Sequence, residues 1–196
     1  MPATPASPKA TLRAGLRQRR REHVARLRDE GRLIEATGAL ARRVIDRFGT
    51  AATIAAYLSD GDEPDPLPIL AAAAARGLRT ALPSVTRRGE PMRFHLWSPG
   101  DALVCGPFGL SQPPADTPEA TPDLILAPLV GFDRAMTRLG QGGGFYDRMF
   151  AACPDARRVG LAWSAQLCEA LPVDPWDMPL HGVATELEWI ERNPAP

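Results

Sequence analysis

Apolar positions repeat with a helical period in the N-terminal part of the chain. They lie on an arginine-rich background, which predicts one long amphipathic helix with a basic outer face formed around Leu12, Leu16, Val24 and Leu27. Ser7 followed by Pro8 is a typical start for this helix. A second helix is predicted after Gly31, with an apolar face formed by Leu33, Ile34, Leu40, Ala41, Val44 and Ile45.

From Ala51 the pattern changes to short, continuous apolar runs. The successive segments "ATIAAYLS", "LPILAAAAARG" and "RTALPSV" predict a strand, a helix ended by glycine and a second strand. Such a βαβ unit implies parallel strands covered by helices. Further strands are predicted at "MRFHLW", "DLILAPLV", "RRVGLAW" and "VATELEWI", and a proline-rich loop at 106–122. The pattern therefore indicates an open α/β sheet, whose ligands bind at the carboxyl ends of the parallel strands.

Length and composition are those of a globular protein. The chain has 196 residues, of which 44% are apolar and 23% charged. We expect a disordered tail at 1–7 and a single domain at 8–196. No run approaches the roughly eighteen apolar residues of a spanning helix, so no membrane association is expected. The three cysteines lack Cys-x-x-Cys spacing, which argues against zinc and disulfides and favours a cytoplasmic location.

Positive charge is concentrated at the N-terminus. The formal net charge is zero, yet residues 1–47 contain twelve Lys or Arg against five acids. A basic segment suits an anionic partner, and a phosphorylated small molecule is sufficient. An RNA partner is disfavoured, because the aromatic spacing of a base-stacking surface is missing.

The segment "RLGQGGGFYDR" at 138–148 carries the candidate chemistry. It follows the predicted strand "DLILAPLV" and precedes a predicted helix, "FYDRMFAAC". A strand, a glycine loop and a helix together form the usual cradle for phosphate, because bare N–H groups and a helix N-terminus converge on the anion. A Walker loop is excluded because Gly-Lys-Ser/Thr is missing. A dinucleotide G-x-G-x-x-G is excluded because Phe145 occupies its last glycine position.

A glycine turn that serves only chain reversal is the alternative to a phosphate site. The flanking residues Arg138 and Asp147 favour the phosphate site. An arginine can neutralise a phosphate with two hydrogen bonds, and a carboxylate can hold Mg²⁺ against it.

With "APLVGFD" before it, this segment resembles the signature of the 5-formyltetrahydrofolate cyclo-ligases (methenyltetrahydrofolate synthetases). The resemblance extends from Lys9 to about Glu186 and includes "AAYLSDGDEPD", "GPFGLSQP", "VGLAWSAQ" and "LPVDPWD". It implies a three-layer α/β/α sandwich around a mostly parallel open sheet, with a basic N-terminal helix.

The resemblance also implies an activity. ATP would phosphorylate the formyl oxygen of 5-formyltetrahydrofolate, with or without a polyglutamate tail. N10 would then close on the formyl carbon to give 5,10-methenyltetrahydrofolate, ADP and phosphate. We expect a cytoplasmic monomer that uses Mg²⁺ and ATP and binds no nucleic acid.

The resemblance implies two sets of ligands for Mg-ATP. The residues that match ATP contacts are Lys9, Arg13, Arg138, Leu139, Gly140, Gln141, Gly142, Gly143, Gly144, Phe145 and Tyr146. Lys9 and Arg13 are four residues apart and share a helical face, although a solvated charged face is the alternative. Asp147 and Asp177 match the magnesium ligands, and an acid after "PW" is also typical of a turn.

Leu58, Glu63, Phe108 and Tyr146 match the substrate pocket. A carboxylate at Glu63 suits the N–H groups of the pterin edge, although four acids lie between Asp60 and Asp65. Phe108 and Tyr146 can stack on the pterin or aminobenzoyl rings, and Phe108 is alternatively a core residue.

The sequence departs from the family pattern at three positions. Met136 replaces a usual glycine, Trp176 replaces a usual histidine before the metal aspartate, and Gln112 replaces a common acid. A methionine would be strained at Met136 if the glycine had positive φ. No phosphate or metal ligand is lost, so we expect activity. The alternative is a catalytically impaired regulator that binds nucleotide and folate.

Overall fold

The computed structural model of the protein describes residues 8–85 and 91–192. The predicted tail at 1–7 lies outside these residues. The helices are α1 (Pro8–Asp29), α2 (Leu33–Ile45), α3 (Leu67–Ala75) and α4 (Phe145–Ala152). The strands are β1 (Thr53–Ala55), β2 (Arg79–Ser84), β3 (Arg93–Leu96), β4 (Val104–Cys105), β5 (Ser111–Gln112), β6 (Leu124–Pro128), β7 (Gly131–Phe132), β8 (Arg138–Leu139), β9 (Arg157–Leu161), β10 (Gly182–Ala184) and β11 (Trp189–Glu191).

The central sheet has seven strands in the order β11-β10-β9-β6-β1-β2-β3. Its five inner strands are parallel, and β3 and β11 pair antiparallel at the two edges. The mostly parallel open sheet is therefore confirmed. The prediction of a single strand at "VATELEWI" is wrong, because the segment forms two antiparallel strands. The proline-rich loop also contains a short β4–β5 pair.

Strand β6 shows why the predicted strands are apolar throughout. Leu124 and Leu126 face a core packed against α2 and α3. Ile125 and Ala127 face the opposite core, which includes residues of α4. Both faces of the strand are covered, so the usual alternation of polar and apolar residues disappears. The structure confirms a sheet flanked by helices on both faces.

The apolar face predicted for α2 is wrong at one residue, Ile34. Ile34 is 88% exposed, whereas Leu40, Ala41 and Val44 are buried. Neighbouring residues of a helix point in different directions, and Leu33 is the one of the pair that contacts the core.

Helix α1 lies across the carboxyl edge of the sheet. Its Leu16 packs against Val130 and Leu139, which follow β6 along the chain. Its Val24 packs with Trp163, which follows β9. The basic helix is thus placed where parallel sheets bind their ligands. Within residues 8–85 and 91–192, no helix combines the length and hydrophobicity needed to span a bilayer.

Candidate functional site

One face of α1 carries basic residues that reach the loops at the carboxyl edge, namely Lys9, Arg13, Arg17 and Arg20. Lys9 Nζ lies 2.7 Å from Asp174 Oδ2 and 2.6 Å from Asp177 Oδ2. Arg13 Nε donates to the carbonyl oxygen of Gly140 at 2.8 Å. Lys9 and Arg13 are therefore bound to the site loops and do not belong to a merely solvated face.

Arg17 and Arg20 continue the same helical spacing toward the loop after β1. Arg17 Nε donates to Gln141 Oε1 at 3.1 Å. Arg20 is buried and lies 3.2 Å from Glu63 Oε1 and 3.5 Å from Asp60 Oδ1. Sequence reasoning missed both arginines. The signal that could have found them is the period of three to four residues that begins at Lys9 and Arg13.

The glycine loop joins β8 to α4. Gly142 has φ +105° and Gly144 has φ +64°, a region that residues with a Cβ rarely adopt. A Cβ at Gly142 would also lie 3.4 Å from Cζ of Arg13. Because α4 begins at Phe145, the positive end of its dipole is directed to this loop. The predicted glycine loop and helix are therefore confirmed, but the strand directly before the loop is β8, because the β7–β8 pair stands between the predicted strand β6 and the loop.

A cavity of about 380 Å³ opens beside this loop and is called the glycine-loop cavity here; it is lined by Gly142, Gly143, Gly144, Asp147, Arg148, Ala151 and Trp176. Arg148 donates from Nη2 to the carbonyl oxygen of Gly143 at 3.1 Å and lies over the ring of Phe145. The cavity thus combines bare backbone with one cation and one carboxylate. Arg148 is a further residue that sequence reasoning missed.

Arg138 and Asp147 form an ion pair behind the loop. The side chain of Arg138 is 4% exposed, and its Nη2 lies 3.0 Å from Asp147 Oδ1. The guanidinium also lies 5.6 Å from the ring centroid of Tyr146. Arg138 is therefore placed to orient Asp147. Leu139, its neighbour and another of the predicted ATP residues, is buried against Leu16. Its side chain is therefore part of the core.

Tyr146 carries a hydroxyl group that is buried without a hydrogen-bond partner among the described residues. Burial raises the pKa of this phenol, and the nearby charge of Arg138 opposes the rise. A buried orphan hydroxyl is costly unless a ligand satisfies it.

Asp174 and Asp177 close a tight turn that Lys9 bridges. The amide of Asp177 donates to the carbonyl of Asp174 at 3.0 Å, and the amide of Asp174 donates to Asp177 Oδ2 at 2.8 Å. Burial pushes the pKa of Asp177 up, but the Asp174 amide and the Lys9 ammonium outweigh it, so the net shift is downward. Arg138 adds to that lowering.

A magnesium ion at this site would have to arrive with phosphate. Among residues 8–85 and 91–192 no group of three or more His, Cys, Asp or Glu side chains could hold a metal. Magnesium commonly takes one or two protein carboxylates and completes its shell with phosphate oxygens and water. Asp147 and Asp177 would supply these two carboxylates.

A second cavity, of about 350 Å³, lies between α1, α2 and the loop after β1, and is called the α1–α2 cavity here. Its apolar wall includes Leu33, Leu58 and Trp163, and its polar groups include Thr37 and Glu63. Apolar walls with a few polar groups are typical of small-molecule sites. The structure therefore brings together Leu58 and Glu63, two of the residues predicted for the substrate.

Glu63 connects the α1–α2 cavity to the glycine loop. Its Oε1 accepts from Arg20 at 3.2 Å and from the Gln141 side chain at 3.3 Å. Burial raises the pKa of Glu63, Asp60 adds to the rise, and Arg20 opposes it. The backbone of Phe108 lies in a 3₁₀ turn, but its side chain is outside what the structure describes.

Comparisons with known proteins identify the family of the chain. The family model described as 5-formyltetrahydrofolate cyclo-ligase family matches residues 5–186. The chain belongs to this family. A 5-formyltetrahydrofolate cyclo-ligase of Mycolicibacterium smegmatis is 32% identical over 90% of this chain and 93% of the relative. The Escherichia coli cyclo-ligase is 35% identical over 69% of this chain and 78% of the relative.

A solved structure of the same family supports the fold. The 5,10-methenyltetrahydrofolate synthetase of Aquifex aeolicus superposes with a TM-score of 0.72 at 26% identity, covering 94% of this chain and 95% of that one. The two chains thus share the fold over nearly their whole length.

Met136, which departs from the family pattern, takes the backbone conformation expected of a glycine. Its φ is +67°, the only positive value of a non-glycine residue in the described part of the chain. The buried Asp133 holds the turn, because its carboxylate accepts from the amides of Ala135, Thr137 and Leu171 at 2.9–3.0 Å. Gln112, another of the three departures, accepts from the amide of Val85 at 3.1 Å and so has a structural contact.

Proposed function

We propose that this member of the cyclo-ligase family converts 5-formyltetrahydrofolate to 5,10-methenyltetrahydrofolate with hydrolysis of ATP to ADP and phosphate. The observation that carries the proposal is the hydrogen bond from Gln141 of the glycine loop to Glu63 in the wall of the α1–α2 cavity. A reaction that transfers a phosphoryl group to a folate needs both substrates side by side, and positioning supplies most of the catalysis.

The glycine-loop cavity is the proposed site of the triphosphate. Bare amides at Gly142–Gly144 and the N-terminus of α4 would bind phosphate oxygens, with Arg13 and Arg148 supplying positive charge. Asp147 and Asp177 would hold Mg²⁺, which neutralises the charge that develops on the phosphates. Arg138 then acts through Asp147, whose carboxylate it orients.

The α1–α2 cavity is the proposed site of the pterin. Among the described residues both contacts of Glu63 are made to Oε1, so Oε2 is available to accept from the N–H edge of the ring. The formyl oxygen would attack the γ-phosphorus, and the bond to the ADP oxygen would break. Ring closure by N10 would then release the oxygen as phosphate. The orphan hydroxyl of Tyr146 is a candidate donor to the reacting oxygens.

The test is product formation by the purified protein. With Mg-ATP and 5-formyltetrahydrofolate we expect the near-ultraviolet absorbance of the methenyl product to appear together with ADP. Neither signal should appear when ATP is omitted. No product at millimolar Mg-ATP would refute the proposal, and tight binding of both ligands without ADP would support the regulator instead.

A pair of glycine variants sharpens the test. Gly142→Ala places a Cβ at φ +105° and beside Arg13, so we expect nucleotide affinity to fall about tenfold or more from strain in the loop. Gly15→Ala is the matched control, because a Cβ at that position of α1 meets no heavy atom within 4 Å. We expect its kinetics to equal those of the wild type. Equal kinetics of the two variants would contradict a phosphate-binding role of the loop.

A further inference from the structure

Trp176 is an exposed tryptophan at a cavity wall. It is 68% exposed, whereas Trp97 and Trp163 are 6% and 1% exposed. Its indole lines the glycine-loop cavity together with Gly142–Gly144. Tryptophan is a highly buried residue on average, and its flat ring packs well on aromatic groups, so an exposed indole at a cavity wall is a candidate ligand contact.

The turn that carries Trp176 is held rigidly. Asp174 and Asp177 on either side of it are joined by two hydrogen bonds of 3.0 and 2.8 Å. Lys9 then bridges both carboxylates from α1. The backbone that carries the indole is therefore ordered by these contacts, which reduces what ligand binding must order in this segment.

The chemistry of the cavity points to what this ring contacts. Its backbone amides, Arg148 and the start of α4 suit the anionic end of a ligand, whereas the indole presents a flat apolar face. We propose that Trp176 stacks on the base of the nucleotide whose phosphates bind the glycine loop. This inference rests on the proposed function and adds a specificity-determining residue to it.

Stacking selects by the area of the flat ring. Every base can stack on Trp176, because every base has a π-face. The larger rings of purine nucleotides should nevertheless bind more tightly than those of pyrimidine nucleotides. Adenine and guanine, which have rings of similar area, should differ little. Hydrogen-bond readout by other groups would be needed for that finer choice.

The experiment compares a ligand that has a base with one that lacks it. Calorimetry would measure the binding of Mg-ATP, Mg-CTP and magnesium tripolyphosphate to the wild type, Trp176→Ala and Trp176→Phe. We expect Trp176→Ala to weaken ATP binding by on the order of tenfold, to leave tripolyphosphate within twofold, and to reduce the preference for ATP over CTP. Trp176→Phe keeps a ring and should recover most of the ATP affinity.

Val173→Ala is the matched control, because Val173 is a 63% exposed apolar residue of the same segment. We expect it to bind all three ligands as the wild type does. ATP should also quench tryptophan fluorescence in the wild type and in Val173→Ala, and the quenching should be lost in Trp176→Ala.

The outcomes separate this inference from the proposed function. Unchanged ATP affinity in Trp176→Ala, with a wild type that binds ATP and makes product, would overturn the stacking alone and leave an interface with another protein as the use of the indole. Equal losses of ATP and tripolyphosphate would also overturn it, since Trp176 would then only support the loop. A wild type that binds neither ligand would overturn both proposals.

Discussion

The side-chain amide of Gln141 donates to Glu63 Oε1 at 3.3 Å, and this bond joins the glycine loop to the wall of the α1–α2 cavity. Helix α1 holds both partners, because Arg17 donates to Gln141 and Arg20 to Glu63. A ligand that contacts Gln141 in the glycine loop or Glu63 in the α1–α2 cavity competes with or tightens this bond. Binding at the two sites should therefore be coupled, and by linkage the coupling must be reciprocal.

Replacement of Gln141 tests this coupling. In the wild type we expect a non-hydrolysable Mg-ATP analogue to change the affinity for 5-formyltetrahydrofolate by about fivefold or more, the lower end of typical coupling. In Gln141→Ala the affinities for 5-formyltetrahydrofolate with and without the analogue should agree within about twofold, because the direct link is gone. Calorimetry with and without the analogue measures both. Gln18→Ala, an exposed glutamine of α1 that bonds Glu22, is the control, and full coupling in Gln141→Ala would contradict this route.

Asp147 has two separable roles. Asp147→Asn keeps an oxygen for Arg138 but loses the charge offered to Mg²⁺, so turnover should fall about 100-fold, since metal charge stabilisation is worth several kcal/mol. Asp147→Ala should in addition lose about 1–3 kcal/mol of stability, because it leaves the buried guanidinium without its partner.

Turnover against magnesium concentration and urea unfolding measure the two effects. Asp155→Asn, an exposed aspartate beyond α4, should change neither. If Asp147→Asn kept the magnesium dependence and rate of the wild type, its proposed metal role would be wrong.

The fold was largely predictable because its strands are buried on both faces. Continuous apolar runs such as β6 can be recognised as buried strands in the sequence. The failure at "VATELEWI" has a local cause: Thr185 hydrogen-bonds through its backbone and hydroxyl group to Glu188, and the resulting turn interrupts a run that is otherwise rich in strand-forming residues. Such a turn carries no glycine or proline to mark it.

The site was predictable only where its parts are local in sequence. The glycine loop and its flanking residues form one segment, so their pattern could be recognised. Lys9 and Asp174 are 165 residues apart, and Arg20 and Glu63 are 43 apart. No spacing rule relates such pairs. Only the fold, by laying α1 over the carboxyl edge, brings these charges together.

The raised pKa of Glu63 predicts how folate binding depends on pH. Burial and Asp60 raise the pKa of this carboxyl group, so it becomes charged at a higher pH than an ordinary glutamate does. If the carboxylate accepts from the pterin, affinity should be constant above the raised pKa and fall as the pH decreases through it. The neutral amide of Glu63→Gln should bind about tenfold more weakly, the loss of one charge-assisted hydrogen bond, and show no such decline.

Calorimetric titrations of 5-formyltetrahydrofolate from pH 4.5 to 8, a range that extends upward from the usual glutamate pKa of about 4.3 because the pKa of Glu63 is raised, measure this profile. Glu119→Gln, an exposed acid paired with Arg93, should retain it. A decline of equal size and position in Glu63→Gln would assign the titration to another group.

Met136 allows the backbone strain to be separated from the packing of the side chain. Its φ of +67° costs an L-residue roughly 1–2 kcal/mol, and its fully buried side chain offsets this cost. Met136→Ala and Met136→Gly both lose the buried side chain, but only glycine also loses the strain. We therefore expect both variants to be less stable than the wild type by about 1–4 kcal/mol, with the glycine variant about 1 kcal/mol more stable than the alanine variant.

Urea unfolding of the three proteins measures these differences. In a helix the order is reversed, with alanine more stable than glycine by up to about 1 kcal/mol. The same pair of substitutions at Leu40, a buried position within α2, is therefore the internal control. An alanine variant at Met136 as stable as the glycine variant would mean that the turn held by Asp133 relaxes out of the left-handed region, and that the strain is not retained in the folded protein.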